Sequence, residues 1–455
     1  MQELKKSFKF YAITYGCRVN QYETQSIREY WISLGGVETE EPAEADVIFI
    51  DSCAVTAEAV ADARQMARKL GRLNPQARIF AVGCAATAAP EDFRQLPGVA
   101  AVIPQVQKFV LLSGHPLELS DFSTPGGEEG AARCFAPFSI NAFKRARPVI
   151  KVQDGCSQGC AYCIIPLTRG PSRSRPVEDI VAEAHRLLAS GHREILLSGV
   201  NLRQFHSGSG DGRNFWSLLR RLDSELAPEW AGRARFRLSS LDPAQVTGSM
   251  GAECLETLES CRMLCPQLHL SLQSGSPTVL ARMNRSPYSP ESIAESVEKM
   301  RRFWPIMGLG ADILMGFPGE TEEETEETLA MLRTLPMTYA HVFPYSERPG
   351  TKAATLPQLP KKVRQEHAAR VRNLIAEKKA AFLEVQIGLP EMWAAFDSAD
   401  ARHGNNEYFV DCRLERPEAP EALEENASAF AAQGHELIKV KPLRIEKNLL
   451  IVRPA

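Results

Sequence analysis

Short apolar runs alternate with helix-compatible stretches along most of this chain, and that alternation restricts the fold more than any other feature. In the first hundred residues, strand-like runs at 8–17, 46–53 and 78–84 each end on a cysteine. A helix-compatible stretch follows each, the clearest at 56–73, with Thr56 as N-cap and Glu58 and Arg64 among its polar positions. A second series begins near 148. Its strand-like runs lie at 149–153, 194–197, 235–238, 268–272, 309–314 and 340–344, and helix-compatible stretches at 176–190, 290–303 and 321–335 lie between them. The last of these opens with Thr321 before an acidic first turn. Strand–helix repetition builds parallel sheets with right-handed crossovers. The expected fold class is therefore α/β: an N-terminal parallel sheet domain over 8–110, then a partial (β/α)6 barrel over 148–360, short of the eight units of a closed one.

Residues 111–147 read as a linker. Ser123 to Gly130 is rich in turn formers, Cys134 has no partner spacing, and Lys144-Arg145-Ala146-Arg147 is a basic run that is either a solvated face or a phosphate contact. A charged helix is expected over 361–384, with Leu374, Ala381 and Leu383 available for packing. A β-rich domain follows over 385–455, with runs at 407–410, 435–440 and 449–452.

With 455 residues, 44% apolar and 24% charged, the chain has the composition of a multidomain globular protein. A net charge of −3 gives no global polyanion signal, so any nucleic-acid contact must be local. No apolar run reaches membrane-spanning length, and Met1 to Lys6 does not resemble a secretory leader. Eleven cysteines in such a chain point to a cytoplasmic location and to metal rather than disulfides.

The cysteines form two sets. Cys156-Ser157-Gln158-Gly159-Cys160-Ala161-Tyr162-Cys163 follows the first barrel strand, with Gly155 and Gly159 freeing the backbone to wrap inward. Three thiolates are one short of the four that a cubane iron–sulfur cluster takes, which leaves one iron open to a small molecule. A zinc site and three buried cysteines are the alternatives; zinc loops more often carry a second CxxC pair, which this chain lacks. The other set is Cys17, Cys53 and Cys84. If all three strands belong to one parallel sheet, these cysteines share its carboxyl edge, where open α/β folds bind ligands. The alternative is three small buried residues after strands.

At Cys156, Cys160 and Cys163 the chain resembles the radical S-adenosylmethionine enzymes. Gly16-Cys17-Arg18-Val19-Asn20-Gln21-Tyr22-Glu23, Asp51-Ser52-Cys53-Ala54-Val55-Thr56 and Val82-Gly83-Cys84 resemble the N-terminal domain of the radical methylthiotransferases. That resemblance implies two 4Fe-4S clusters and S-adenosylmethionine. The catalytic cluster would sit on Cys156, Cys160 and Cys163, and an auxiliary, sulfur-delivering one on Cys17, Cys53 and Cys84. It points to Tyr162, Ser198, Gly199, Asn201, Ser240, Gln273 and Arg285 as cofactor contacts, each of which has a capping or turn role as its alternative. Asp242 stands where the family often carries Glu.

Within the family, the Gly16 to Glu23 segment is most similar to members acting on threonylcarbamoyladenosine beside the tRNA anticodon. Isopentenyladenosine in tRNA and a ribosomal-protein aspartate are the neighbouring substrates. The implied partners are tRNA, an electron donor such as a flavodoxin or ferredoxin, and an unspecified sulfur source. The last domain resembles the family's TRAM domain, although Glu415, Glu418, Glu421, Glu424 and Glu425 confine any RNA surface to Lys439, Lys441, Arg444 and Lys447. A different class, a non-catalytic iron–sulfur electron carrier, needs neither an open iron nor a substrate mouth. Gly316-Phe317-Pro318-Gly319-Glu320-Thr321 lacks a Walker ending and is expected to be a turn before a helix.

Overall fold

The computed structural model describes residues 7–119, 135–143, 147–206, 213–285, 288–396, 402–415 and 437–455. Cys134, the 123–130 stretch, most of the 144–147 basic run, Glu418, Glu421, Glu424, Glu425 and residue 435 lie outside them. Two compact units emerge: Met1–Asn141 with Gln153–Ser174 and Ser346–Thr355, and Ala142–Val152 with Arg175–Tyr345 and Leu356–Ala455.

The sheet of the first unit has five parallel strands, β1 (Phe8–Thr14), β2 (Gly36–Glu38), β3 (Val47–Ser52), β4 (Arg78–Gly83) and β5 (Val99–Pro104), in the order β2-β1-β3-β4-β5. The three strands that end near cysteines are neighbours at its centre. The edge strands escape sequence reading because β2 has only three residues and β5 carries two alanines where stronger strand formers would stand. Alternation along the strands gives the sheet two apolar faces. On one, Trp31 from the helix Arg18–Ser33 is fully buried, meeting Phe10, Phe49 and Phe80 edge-on. On the other, Ile48, Ile50, Ile79 and Ala81 pack with Val60, Ala63, Ala67 and Leu70 of the helix Ala57–Leu73. Those four helix residues recur at the three- and four-residue spacing of one helical face. Thr56 caps this helix as expected, accepting from the Ala59 amide. Part of the expected linker is anchored here: the Tyr22 hydroxyl donates to the Phe138 carbonyl at 2.7 Å, and Glu29 accepts from the Asn141 amide.

β6 (Val149–Asp154) starts in the second unit and ends in the first, where it pairs antiparallel with the two-residue β7 (Arg173–Ser174). The second unit continues through β8 (Glu194–Gly199), β9 (Arg235–Leu238), β10 (Gln267–Gln273), β11 (Gly308–Met315) and β12 (Tyr339–Pro344). β8 and β9 are parallel, β10, β11 and β12 form a second parallel sheet, and bridges at Phe236–Leu264 and Leu241–Leu270 join the two. With β6 these are the six strands of the partial barrel. Its helix Glu322–Thr334 opens with a capping box between Thr321 and Glu324, as the acidic first turn predicts. The Gly316 to Thr321 segment is a turn: Gly316 has φ +74°, and the buried Glu320 carboxylate accepts from the Gly316 and Phe317 amides and from Thr325.

A helix over Lys361–Ile387 leads into a closed barrel of β13 (Met392–Phe396), β14 (His403–Asn406), β15 (Asp411–Leu414), β16 (Leu437–Glu446) and β17 (Leu449–Pro454). One expectation needs correction: residues 407–410 are a turn, not a strand. Asn406 Oδ1 accepts from the amides of Tyr408 and Val410, and Phe409 adopts φ +66°, which breaks an extended run despite its strand-forming composition. Much of the late basic cluster is neutralised, because Lys439 pairs with Glu391 and Arg444 with Glu415 and Glu446.

A buried ion cluster ties this small barrel to the larger one. Glu194 of β8 lies between Arg235 and Arg237 of β9, with Arg237 Nε at 2.7 Å. Arg237 also donates to the carbonyls of Asn406 and Glu407. Burial pushes the Glu194 carboxyl up, but the two guanidiniums outweigh it and hold the group at about 2. The folded value lies below the unfolded one, so the stabilisation is present above about pH 4.5 and is lost as pH falls toward 2, by about 3 kcal/mol. Urea unfolding at pH 7 and pH 3 should show this acid sensitivity, and Glu194→Gln should abolish it while lowering stability at pH 7.

Candidate metal and cofactor site

The six candidate ligands Cys17, Cys53, Cys84, Cys156, Cys160 and Cys163 all lie in the first unit and none forms a disulfide. Cys17 is the exposed N-cap of the helix Arg18–Ser33. Cys53 follows β3, and Cys84 opens the helix Cys84–Ala88 directly after β4; both are buried. Gly16, at φ +94°, lets the β1 turn close onto Cys53: a Cβ there would lie 2.5 Å from Cys53 Cβ and 2.8 Å from its Sγ. The expected convergence on one sheet edge is what the structure has, and the three thiols sense one another electrostatically. Burial, reinforced by Cys17 and Cys84, pushes the Cys53 thiol up to about 12, and burial raises Cys84 as well. Without a compensating cation these groups stay protonated at neutral pH. Iodoacetamide at pH 8 should therefore alkylate Cys17 of the apo protein well before Cys53 and Cys84, as peptide mass spectrometry would show.

The second set occupies the loop after β6. Gly155 and Gly159 both have φ +69°, and a Cβ on Gly155 would collide with the Pro171 carbonyl, so the chain can wrap here only with glycine. The Cys156 amide donates to the Gly170 carbonyl, the Cys163 amide to the Cys160 carbonyl, and the Gln158 amide approaches Cys156 Sγ at 3.5 Å. Tyr162 is half-buried on the same loop.

A fully buried charge network, which sequence reading missed, joins the two loops. Lys108, from the 3-10 segment Gln105–Leu112, lies 2.7 Å from Glu23 and 2.8 Å from Asp51. Arg169, in the helix Ile165–Arg169 that follows Cys163, lies 2.8 Å from Asp154 and 3.3 Å from Glu23, and donates to Asn20 at 2.5 Å. Every cysteine segment but that of Cys84 supplies a member: Asn20 and Glu23 follow Cys17, Asp51 precedes Cys53, Asp154 precedes Cys156 and Arg169 follows Cys163. Gln105 completes the set, donating to Glu23 at 2.9 Å while its Oε1 lies 4.0 Å from Cys84 Sγ. Burial raises the Asp51 carboxyl above its usual range, opposed by Lys108 and reinforced by Glu23.

Both cysteine sets fit iron–sulfur clusters by their chemistry. They supply thiols outside any disulfide, with amide hydrogens directed at sulfur from Val55 to Cys53 and from Gln158 to Cys156. Beside Cys53 lies Arg348, 5% exposed, which among the described residues has no carboxylate partner and leaves Nε without a hydrogen bond. An anionic group on the thiols would answer that charge.

The remaining sequence candidates belong to the second unit, all but Arg285 at or just after the carboxyl ends of its strands. Ser198 and Gly199 close β8. Asn201 caps the turn Leu202–Gln204, accepting from the Arg203 amide. Ser240 follows β9 and donates to Asp312 at 3.3 Å, while Gln273 ends β10 at φ +69°. Arg285 pairs with Asp242 at 3.1 Å and donates to the Ser271 carbonyl at 2.8 Å. Asp242 caps the helix Pro243–Val246 through a capping box with Gln245.

Residues 150–332 match the Radical SAM superfamily, and residues 9–104 match the uncharacterized protein family UPF0004. The chain is 36% identical over 383 residues to the threonylcarbamoyladenosine tRNA methylthiotransferase MtaB of Chlamydia pneumoniae, covering 83% of this chain and 84% of that one. It is 34% identical over 405 residues to the enzyme of that name from Rickettsia prowazekii (89% and 91%). Over 402 residues it is 32% identical to the tRNA-2-methylthio-N(6)-dimethylallyladenosine synthase of Roseobacter denitrificans (84% and 86%). Among solved structures, the radical S-adenosylmethionine methyltransferase TsrM of Kitasatospora setae shares the fold, with a TM-score of 0.53 at 16% identity over 76% of this chain and 75% of that one. The Radical SAM match implies a 4Fe-4S cluster and S-adenosylmethionine. With identity above 30% along more than four-fifths of its length, the chain belongs to the radical S-adenosylmethionine methylthiotransferase family.

Proposed function

We propose that this protein adds a methylthio group to N6-threonylcarbamoyladenosine next to the anticodon of tRNA. The observation that carries the substrate is the 34–36% identity to relatives named for that activity, covering 80% or more of this chain in each. The match to a dimethylallyladenosine synthase, at 32%, favours isopentenyladenosine as the second reading.

In this reading Cys156, Cys160 and Cys163 hold the cluster that binds S-adenosylmethionine, and Cys17, Cys53 and Cys84 hold a second 4Fe-4S cluster for sulfur delivery. When bound, these groups supply one-electron chemistry and a sulfur atom for an unactivated carbon–hydrogen bond. The chain's own residues do the positioning. Gly155 and Gly159 shape one ligand loop and Gly16 the other, while Lys108 and Arg169 neutralise the carboxylates that flank both. Tyr162, Ser198, Gly199, Asn201, Ser240, Gln273 and Arg285 are the candidate cofactor contacts. The domains we assign are a sulfur-delivery domain over 8–110, the catalytic barrel over 148–360 and a small TRAM-like β-barrel over 385–455. A flavodoxin or ferredoxin would serve as electron donor.

Purified protein with iron and sulfide restored, given a strong one-electron reductant, S-adenosylmethionine and tRNA carrying threonylcarbamoyladenosine, should yield the methylthio nucleoside along with methionine and 5′-deoxyadenosine. Modification of isopentenyladenosine tRNA instead would move the substrate to the second reading. Absence of cofactor cleavage would leave a non-catalytic iron–sulfur protein.

A further inference from the structure

In the second unit, side chains from three adjacent parallel strands converge on one face. Residues on a strand face the same side at a spacing of two, and register pairs share a face. His269 of β10 pairs in register with Gly310 of β11, which pairs with Tyr339 of β12. Two residues further along, Asp312 pairs with His341. His269, Asp312 and His341 therefore point to the same side. One ligand atom from each lies within 4.8 Å of the others. The glycine at 310 is required, because a Cβ there would run into the Tyr339 ring.

The hydrogen bonding around this group is incomplete at one atom. Asp312 receives Ser240 Oγ at 3.3 Å and lies 3.2 Å from His341 Nδ1. His269 is 5% exposed, and its Nδ1 is engaged by the Tyr339 hydroxyl at 3.0 Å, which also accepts from Gln267 at 2.8 Å. His269 Nε2, by contrast, faces only Asp312 Oδ1, at 3.1 Å, and among the described residues has no other polar partner. A buried ring nitrogen in that position costs stability unless something occupies its lone pair.

We propose that His269, Asp312 and His341 bind a divalent first-row transition-metal ion. Two imidazoles and one carboxylate are a ligand set for such ions, and they differ from the thiolate sets of the first unit. With its Nδ1 proton donated to Tyr339, His269 presents the Nε2 lone pair to the ion, so Tyr339 and Gln267 fix the ring as outer-sphere partners. His341 is exposed, and three protein ligands leave coordination positions open on that side for water or an oxygen donor of a bound molecule. The proposal is independent of which nucleoside the protein modifies.

Cobalt(II) is the probe, added to protein whose cysteine sites are already loaded with iron and sulfide. One equivalent of cobalt should bind, with weak ligand-field absorption and no thiolate-to-cobalt charge-transfer band. His341→Ala should weaken it by about 100-fold or more, with iron and sulfide content unchanged. Because His341 is exposed, that substitution tests the site without emptying the core; Asp312→Asn is the second variant, and its circular dichroism checks folding. No retained cobalt, a thiolate band that survives in His341→Ala, or wild-type affinity in both folded variants would overturn the assignment.

Discussion

Replacing Cys156, Cys160 and Cys163 with Ala should abolish reductive cleavage of S-adenosylmethionine, while replacing Cys17, Cys53 and Cys84 should spare cleavage and stop thiolation. Both triads lie in one compact unit, yet they differ in build. The first is a glycine-shaped loop with partly exposed thiols; the second is drawn from three strand ends with two thiols buried. Methionine and 5′-deoxyadenosine report the first activity and the methylthio nucleoside the second. The expected loss is total in each case, because each variant removes all three ligands of its set. Loss of cleavage in the Cys17, Cys53 and Cys84 variant, with iron still present at the other set, would contradict this division.

Lys108→Met should destabilise the first unit by about 3–5 kcal/mol, the scale for breaking a buried ion pair. Lys108 is fully buried between Glu23 and Asp51, and its removal leaves two carboxylates enclosed without their nearest cation. The remaining cation, Arg169, is engaged by Asp154, Glu23 and Asn20. Adding Asp51→Asn to Lys108→Met should recover part of the loss, since one of the stranded charges is then gone. Chemical denaturation of the three proteins measures this directly. An unchanged midpoint for Lys108→Met would show that the network contributes nothing to stability.

The central strands and the placement of both cysteine sets are legible because each depends on local pattern. β3 and β4 are runs of Val, Ile and Phe, and Cys17, Cys53 and Cys84 stand where those patterns stop. Gly155 and Gly159 announced the wrapped loop by residue type alone. What stayed hidden depends on distance in the chain. Lys108 is 57 residues from Asp51 and 85 from Glu23, and nothing local marks it as a core residue; the one available signal was an aspartate inside the apolar run of β3. The His269, Asp312 and His341 group is assembled by strand register, which composition does not encode. Residues 407–410 misled for the opposite reason. Tyr408, Phe409 and Val410 favour strands, but Asn406 captures their amides and imposes a turn.

The most direct test of the central claim is mass spectrometry of tRNA nucleosides from a host lacking this gene, compared with the same host after the gene is restored. The account predicts that the methylthio group on threonylcarbamoyladenosine is present only after restoration. Identical nucleosides in both strains, or a methylthio group restored only on isopentenyladenosine, would contradict it.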